Sequence, residues 1–359
     1  LRPLAHLLTP CKAVRQGKSL RFVQVPAQRD YQVSQELVEN GALLGNQINS
    51  RKEMRLILSS DQQRLSRIRM DGKPRLVRGV AGSGKTMVLA NWLSQVVKDL
   101  QNPDEVVWVV FANYALKGLI EDTIQRAWDD GDHRRVFPWQ RVQTVHIDEL
   151  LSVLMDQLWQ TRQVCYAEDD KFDYDAKSEL YLRHFPVSQI QPRCSAMFID
   201  EAQDMGAHTL RLLAALVSQS DPDDANSRAI NIFYDNAQNV YGRSTPKWSD
   251  LGLDMRGRST VMRESFRSTK PITEYALNVL YSLQPPISDP EHRELVERQL
   301  IEKTDRDGRT WWQVRFAQTH GPVPVLKKYQ SLDKQIDAIA GQIIQWVKTE
   351  AIIPGDICL

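Results

Sequence analysis

The sequence predicts an α/β fold in which helices cover both faces of a parallel sheet. From about Leu56 onward, short apolar runs alternate with longer helical patterns, and a glycine-rich loop joins the first run to the first helix. Strands that are buried on both faces have such apolar runs, and their alternation with helices is typical of parallel sheets.

The predicted strands are short and mostly apolar. They lie at Arg75–Arg78, Glu105–Phe111, Ala196–Ile199, Ile230–Tyr234 and Ser259–Met262. Between them, Met87–Val97 and Leu210–Val217 each place apolar side chains at helical spacing. We expect both apolar stripes to pack against the sheet.

Changes in this pattern predict the domain organisation. Residues 1–55 contain no motif and are expected to be the end of a preceding domain, whereas 56–264 hold the alternating pattern. Within it, residues 150–195 open with a helical pattern and contain no clear strand, which predicts a mostly helical insertion. Residues 265–359 are expected to begin a second domain of the same kind that is incomplete. There we predict a strand at Trp311–Phe316, a helix at Ile336–Val347 and a strand at Asp356–Leu359.

The charges of the 359 residues nearly balance. The formal net charge is +1, so overall charge provides no attraction toward nucleic acid. Basic residues nevertheless form two local groups. The first comprises Arg64, Arg67, Arg69, Lys73, Arg75 and Arg78, and the second comprises Arg256, Arg258, Arg263, Arg267 and Lys270. Each group is either a solvated face or a nucleic-acid contact.

Cysteine usage and hydropathy indicate a cytoplasmic protein without a membrane partner. The four cysteines form no C-x-x-C pair, so neither a zinc site nor a disulfide framework is predicted. No run of 18 apolar residues is present to cross a bilayer.

The glycine-rich loop predicts a phosphate site. Residues 79–86 read Gly-Val-Ala-Gly-Ser-Gly-Lys-Thr and fit G-x-x-x-x-G-K-[ST] between a predicted strand and a predicted helix. The loop residues expected to bind ATP are Gly79, Val80, Ala81, Gly82, Ser83, Gly84, Lys85 and Thr86. Lys85 should reach the β- and γ-phosphates, and Thr86 should supply a hydroxyl to Mg²⁺.

Two adjacent carboxylates end the predicted strand at Ala196–Ile199. Neighbouring side chains at a strand end point in different directions, so Asp200 can face the metal while Glu201 faces the attacking water as general base. A pair of carboxylates in this position is also common at a helix N-terminus. The upstream glycine loop favours the catalytic interpretation and predicts a P-loop NTPase fold.

Several motifs then match, in order, those of the UvrD/Rep/PcrA-like superfamily 1 DNA helicases. The chain resembles this family from about Leu58 to Ile272, with a weaker tail to Leu359. The matching segments are Leu58–Gln62 (Q motif), Asp200–Asp204 (DEAQD, motif II), Tyr234–Gly242 (motif III) and Ser265–Thr269 (motif IV). The resemblance implies a RecA-like sheet. Motifs V and VI have no counterpart up to Leu359.

The resemblance implies further roles in ATP binding and hydrolysis. Gln62 would read the adenine, with Gln63 as its competitor, and Gln238 would sense the γ-phosphate. Phe266 would stack on the adenine, and Arg267 would be an arginine finger that stabilises charge on the transferred phosphoryl group. The alternative for Arg267 is a surface arginine within the second basic group.

The resemblance also implies a path for single-stranded DNA, with RNA not excluded. Motif Ia would supply Phe111 and Asn113, motif Ib would supply Thr144 and His146, and Tyr241 would stack on a base. Trp248 is a further stacking candidate. Phe111 and His146 can equally be core residues, and Trp248 can equally be a packing residue.

Two functions follow as hypotheses. The first is an ATP-driven motor that moves on single-stranded DNA and separates strands, alone or with a partner protein or fused domain. The second is a P-loop ATPase switch that does not move on nucleic acid, for example in a defence or signalling complex. Stimulation of ATP hydrolysis by oligonucleotide distinguishes them.

Overall fold

The computed structural model describes most of the chain and divides it into two compact units. The described residues are 11–16, 19–24, 43–46, 48, 58–79, 82–131, 136–167, 173–224, 226–235, 246–262, 265, 268–283, 296–297, 299–306, 308–315 and 322–357. One unit combines Leu1–Ile57 with Val325–Leu359, and the other is Leu58–Pro324. The predicted domain start at residue 56 lies near this division. The predicted end at 264 does not coincide with a division.

The first unit contains a hairpin and a long helix. Strands β1 (Cys11–Gln16) and β2 (Ser19–Gln24) pair antiparallel. The helix Leu332–Thr349 contains the predicted segment Ile336–Val347. The strand predicted at Asp356–Leu359 is wrong for its described residues, because Pro354–Asp356 form a 3₁₀ turn in which the Asp356 N–H donates to the Ile353 carbonyl.

A six-stranded parallel sheet forms the centre of the second unit. Its strands are β3 (Arg75–Gly79), β4 (Val107–Phe111), β5 (Val142–His146), β6 (Ala196–Ile199), β7 (Ala229–Tyr234) and β8 (Ser259–Met262). Their spatial order is β5-β4-β6-β7-β3-β8, and every pair is parallel. This confirms the predicted α/β fold. Because the strands are parallel, the residues that follow them meet along one side of the sheet, the carboxyl edge.

Helices cover both faces of the sheet. On one face lie α1 (Ser60–Ser66), α2 (Lys85–Asp99) and α3 (Leu116–Gly131), packed on apolar side chains that include Val109, Phe198 and Phe233. On the other face lie α4 (Ile147–Arg162), α5 (Tyr174–His184) and α6 (Ala207–Ala215), packed on Val110, Ile199 and Ile232. Side chains at alternating strand positions thus pack into two separate cores, one on each face of the sheet.

Polar contacts join the two helices of the insertion to each other and to α6. It consists of α4 and α5 between β5 and β6, where a mostly helical insertion is predicted. The buried Lys177 ammonium lies 3.4 Å from the Asp148 carboxylate and joins the two helices. Asp175 reaches further, because its Oδ1 accepts from the Thr209 backbone N–H at 2.9 Å and from the Thr209 hydroxyl at 3.2 Å.

Asp175 therefore caps α6 from a different segment, and its loss should be measurable. The N-cap residue of α6 is Gly206, which has no side chain to satisfy the first N–H groups. We expect Asp175→Ala to lower the free energy of unfolding by about 1–2 kcal/mol, as for other lost caps. Urea unfolding measures this change. Asp104→Ala, at an exposed loop carboxylate, should have almost no effect, and equal effects of the two variants would contradict the cap.

A helix and a hairpin follow the sheet. The Asn278 side chain of α7 (Lys270–Leu283) both donates to and accepts from the backbone of Trp312. Trp312 lies in β10 (Arg309–Val314), which pairs antiparallel with β9 (Ile301–Arg306) and overlaps the predicted strand Trp311–Phe316. Because this hairpin does not extend the parallel sheet, the predicted bounds of a second sheet domain stay a prediction. We name the helix Leu332–Thr349 α8. No helix in the described part of the chain is long and apolar enough to cross a membrane.

Candidate nucleotide site

The glycine loop lies at the carboxyl edge, where β3 leads into α2. Gly82 and Gly84 have φ angles of 73° and 83°, in the left-handed region that favours glycine. A Cβ at Gly84 would lie 2.5 Å from the Gln62 amide nitrogen and would displace that side chain. Val80 and Ala81 lie outside the described residues. The angles of Gly82 and Gly84 fit the expected glycine loop, and its binding of phosphate stays a prediction.

Lys85 begins α2 and points into the loop. Its ammonium donates to the Gly79 carbonyl at 2.9 Å and lies 3.1 Å from the Asp235 carboxylate. Both charged side chains are buried, with exposures of 6% and 3%. A buried ammonium beside the backbone of the glycine loop is well placed to bind phosphate oxygens.

Ser83 provides an independent sign of a ligand. Its side chain is fully buried, and its Oγ is a polar atom without a hydrogen-bond partner among the residues that the structure describes. A buried polar group is normally paired. An oxygen of a bound phosphate would satisfy this hydroxyl, so the loop fits the predicted nucleotide.

Thr86 and Asp200 form the candidate metal site. The Thr86 hydroxyl donates to the Asp200 carboxylate at 2.9 Å, although the two residues are far apart in sequence. Burial and the neighbouring Glu201 carboxylate raise the pKa of Asp200 from 3.8 to about 6, while the Thr86 hydroxyl and the Lys85 ammonium lower it. These oxygen ligands fit Mg²⁺, which commonly binds one or two protein groups together with phosphate.

The raised pKa of Asp200 predicts how stability depends on pH in metal-free buffer. Because the folded state disfavours the charged carboxylate, wild-type stability should fall as pH rises through the window from 3.8 to about 6. Asp200→Asn has no such group, so above that window it should be more stable than wild type by up to about 3 kcal/mol. Urea unfolding with EDTA at several pH values tests this. A difference that does not change with pH would contradict it.

Glu201 is oriented by an unusual backbone and by a glutamine. Its φ of 49° lies in the left-handed region, which costs about 1–3 kcal/mol for a residue other than glycine and is common at functional sites. The Gln203 amide nitrogen donates to the Glu201 carboxylate at 2.6 Å, and the Gln203 amide oxygen accepts from the Asp235 backbone N–H at 3.0 Å. The alternative role as a helix cap is not observed, because the Glu201 side chain forms no cap hydrogen bond.

Gln62, rather than Gln63, contacts the glycine loop. The Gln62 amide nitrogen donates to the Ser83 carbonyl, and its amide oxygen accepts from the Ser59 backbone N–H, both at 2.8 Å. Ser59 and Gln62 form a capping box at the start of α1. Gln63 instead donates to the Leu58 carbonyl. The adenine contact of Gln62 stays a prediction.

Besides Val80 and Ala81, four predicted site residues lie outside the described residues. They are Gln238, Tyr241, Phe266 and Arg267. Their roles as γ-phosphate sensor, stacking residues and arginine finger stay predictions.

Burial contradicts two predicted nucleic-acid contacts. The side chains of Phe111 and His146 are both fully buried, so neither can touch a strand of DNA in this structure. Phe111 packs between the sheet and its covering helices. His146 lies 2.8 Å from the Ala112 carbonyl through Nε2 and accepts from the Asp148 N–H through Nδ1. The core alternative therefore describes both residues.

The other predicted contact residues differ in exposure. Asn113 is exposed at the carboxyl edge, whereas Thr144 is half-buried and its hydroxyl donates to Glu121 at 2.6 Å. Trp248 is half-buried and packs edge-on against Tyr234 with ring centroids 5.9 Å apart. This contact fits the packing role that the sequence left open for Trp248.

Sequence reasoning missed an exposed aromatic residue at this edge. Tyr114 is 53% exposed, and its ring stacks on His146 with centroids 3.4 Å apart. Desolvation and the carboxylates of Glu149 and Asp148 raise the pKa of Tyr114. The signal was its position, directly after Asn113 in motif Ia.

Ion pairs neutralise much of the two basic groups. The described pairs are Arg64–Asp61, Lys73–Asp224, Arg75–Asp71, Arg256–Asp254, Arg258–Asp71 and Lys270–Glu274. Arg75 starts β3 and therefore lies at the side of the sheet opposite to the carboxyl edge. These contacts favour the solvated-face interpretation of the paired residues.

Comparisons with solved structures find Pif1 helicases. The Pif1 helicase from Candida albicans is 15% identical with a TM-score of 0.34, covering 71% of this chain and 50% of that one. The Bacteroides Pif1 helicase, solved with ADP-AlF3 and single-stranded DNA, is 16% identical with a TM-score of 0.32, covering 81% of this chain and 57% of that one. A structure of two coordinating Pif1 helicases on forked DNA is 14% identical with a TM-score of 0.29, covering 70% and 60%. The chain thus spans 50% to 60% of the length of these proteins.

A sequence family matches the same part of the chain that holds the nucleotide site. No curated protein matches the sequence. The family model described as an AAA domain matches residues 62–242, just over half of the chain. This range begins at the glutamine beside the glycine loop and includes Lys85, Asp200 and Asp235. The chain therefore belongs to the AAA domain family.

Proposed function

We propose that this chain is the ATP-hydrolysing core of a UvrD/Rep/PcrA-type superfamily 1 helicase that uses ATP and Mg²⁺ to move on single-stranded DNA. One observation carries the ATPase part of the proposal. Lys85 and Thr86 on α2 meet Asp200 and Glu201 after β6, with a 2.9 Å hydrogen bond between Thr86 and Asp200. This is the set of groups that phosphoryl transfer to water requires.

The chain's own residues divide the chemistry among them. Lys85 and the Ser83 hydroxyl bind phosphate oxygens, and the loop backbone orients them. Thr86 and Asp200 would hold Mg²⁺, which neutralises charge on the β- and γ-phosphates when bound. Glu201 accepts a proton from the water whose oxygen attacks the γ-phosphorus, while the bond from that phosphorus to the ADP oxygen breaks. Gln203 holds the Glu201 carboxylate in place for this transfer.

The motor part of the proposal depends on the carboxyl edge. Asn113 and Tyr114 are exposed there, and the segments that resemble motifs Ia and Ib lie at the carboxyl ends of the neighbouring strands β4 and β5. Stacking of a base on an exposed tyrosine contributes about 1–3 kcal/mol and tolerates any sequence. With Phe111 buried, Tyr114 is the aromatic side chain that we propose for this contact, together with Tyr241.

A second candidate function is an ATPase switch that does not move on nucleic acid. The acidic surroundings of the proposed contact favour it, because Glu121, Asp148 and Glu149 lie near Thr144 or Tyr114. Carboxylates in such positions repel a phosphate backbone. The alternative therefore has its own support in the same part of the molecule.

Hydrolysis measured with and without oligonucleotide separates the two functions. For the motor, we expect single-stranded DNA to raise ATP turnover severalfold, Tyr114→Ala to reduce this stimulation, and Lys85→Ala to abolish hydrolysis. Parallel assays with RNA define the preferred strand. The control is Trp159→Ala, which removes another exposed aromatic side chain. Trp159 lies 13 residues along α4 from the carboxyl edge, which is on the order of 20 Å at a rise of 1.5 Å per residue. ATP turnover that DNA does not change would support the switch.

A further inference from the structure

The Asp235 carboxylate has no role in the hydrolysis described above, yet it makes the main ionic contact of Lys85. Its Oδ2 lies 3.1 Å from the Lys85 ammonium, and both side chains are almost completely buried. The second contact of Lys85 is the Gly79 carbonyl, which carries no formal charge. Asp235 is therefore the counter-ion of the lysine that should bind phosphate.

The position of Asp235 is fixed from two sides. It directly follows β7, whose residues are all buried, and its backbone N–H donates to the Gln203 amide oxygen at 3.0 Å. Gln203 is 2% exposed, and its amide nitrogen donates to Glu201. The backbone of Asp235 is therefore held in place beside Lys85.

A phosphate oxygen and the Asp235 carboxylate would both interact with the Lys85 ammonium. Opposite charges attract strongly where water is excluded, and an ammonium left without a partner in such a place is costly. A bound phosphate must therefore weaken an existing ion pair, and part of its attraction to Lys85 is lost in doing so.

We propose that Asp235 competes with nucleotide phosphate for Lys85 and thereby lowers the affinity of the site for nucleotides. This inference rests on the proposed ATP site and adds a residue that sets its affinity. A site that binds nucleotide less tightly also releases ADP more readily, which suits repeated turnover.

The test compares Asp235→Asn with the wild-type protein. Asn keeps the size of the side chain and its oxygen but removes the charge. Asp104→Asn is the matched control, because it makes the same change at an exposed loop carboxylate. Binding of ADP with Mg²⁺ is measured by calorimetry at equal ionic strength, and melting temperatures are recorded with and without ADP.

We expect Asp235→Asn to bind ADP about tenfold more tightly, a change of about 1.4 kcal/mol, and to melt at a lower temperature when ADP is absent. The rise in melting temperature on adding ADP should be larger than in wild type. A carboxylate that only supports the fold would give the opposite result, since a damaged site binds more weakly. In the Lys85→Ala background the gain in affinity should disappear.

Equal or weaker ADP binding by Asp235→Asn would overturn the competition, and so would a gain that persists without Lys85. Failure of the proposed function has a different result. In that case the wild-type protein itself would neither bind ADP nor hydrolyse ATP, whatever residue occupies position 235.

Discussion

Replacing Glu201 by Gln is expected to lower ATP turnover about 10²- to 10⁴-fold while ADP affinity stays within about threefold of wild type. The reason is the position of the carboxylate. Glu201 follows the strand that places Asp200 beside Thr86, and Gln203 holds its Oε2 at 2.6 Å. Gln can accept the same hydrogen bond from Gln203, but it cannot take a proton from water.

The measurement must separate binding from chemistry. Single-turnover hydrolysis at saturating ATP reports the chemical step, and calorimetry with ADP reports binding. Glu179→Gln is the control, because Glu179 is a partly exposed carboxylate on α5 that pairs with Arg183. Turnover of Glu201→Gln within about tenfold of wild type would remove Glu201 from the role of general base.

The parts of the fold and site that the sequence predicts are those with local patterns. Strands β4, β6 and β7 are buried on both faces and are apolar except for Asn231 and the Tyr234 hydroxyl in β7, so a short window identifies them. The glycine loop combines required backbone angles with a lysine at fixed spacing, which is equally local. The predicted strand Ser259–Met262 even has the observed bounds.

Strand β5, at one edge of the sheet, was missed because its residues do not form an apolar run. Its sequence is Val-Gln-Thr-Val-His, and only its first and last residues are buried. An edge strand has a neighbour on one side only and therefore carries more polar residues than a central strand. Its short run of mixed residues resembles a loop in the sequence.

Contacts between distant segments could not be predicted from local patterns. Gln203 joins Glu201 to the backbone of Asp235, and Asp235 pairs with Lys85, although these residues lie on three separate segments. Burial is also a property of the whole fold. A family motif names Phe111 as a DNA contact, but β4 is a central strand, and helices cover this side of it.

The second large effect is expected in the core below the nucleotide site. Trp92 is fully buried on α2, and its ring packs edge-on against Phe198 of β6 at 5.5 Å and Phe233 of β7 at 6.5 Å between centroids. We expect Trp92→Ala to lower the free energy of unfolding by about 3–5 kcal/mol, because it leaves a large cavity between helix and sheet. Since α2 also carries Lys85, ADP binding should weaken when the packing of this helix against the sheet is lost.

The variant Trp92→Phe separates the effect of the ring's volume on stability from the effect of its indole N–H. The indole N–H of Trp92 is buried and has no hydrogen-bond partner among the described residues, and burying such a donor is itself unfavourable. Phe removes this donor and keeps most of the aromatic contact, so we expect it to cost less than half as much as Ala. Urea unfolding of both variants gives the comparison. Equal losses would mean that the cavity does not determine the effect and that the indole nitrogen contributes to stability. A small loss of unfolding free energy for Trp92→Phe, together with wild-type ADP affinity, would show that the aromatic packing of α2 holds Lys85 at the carboxyl edge.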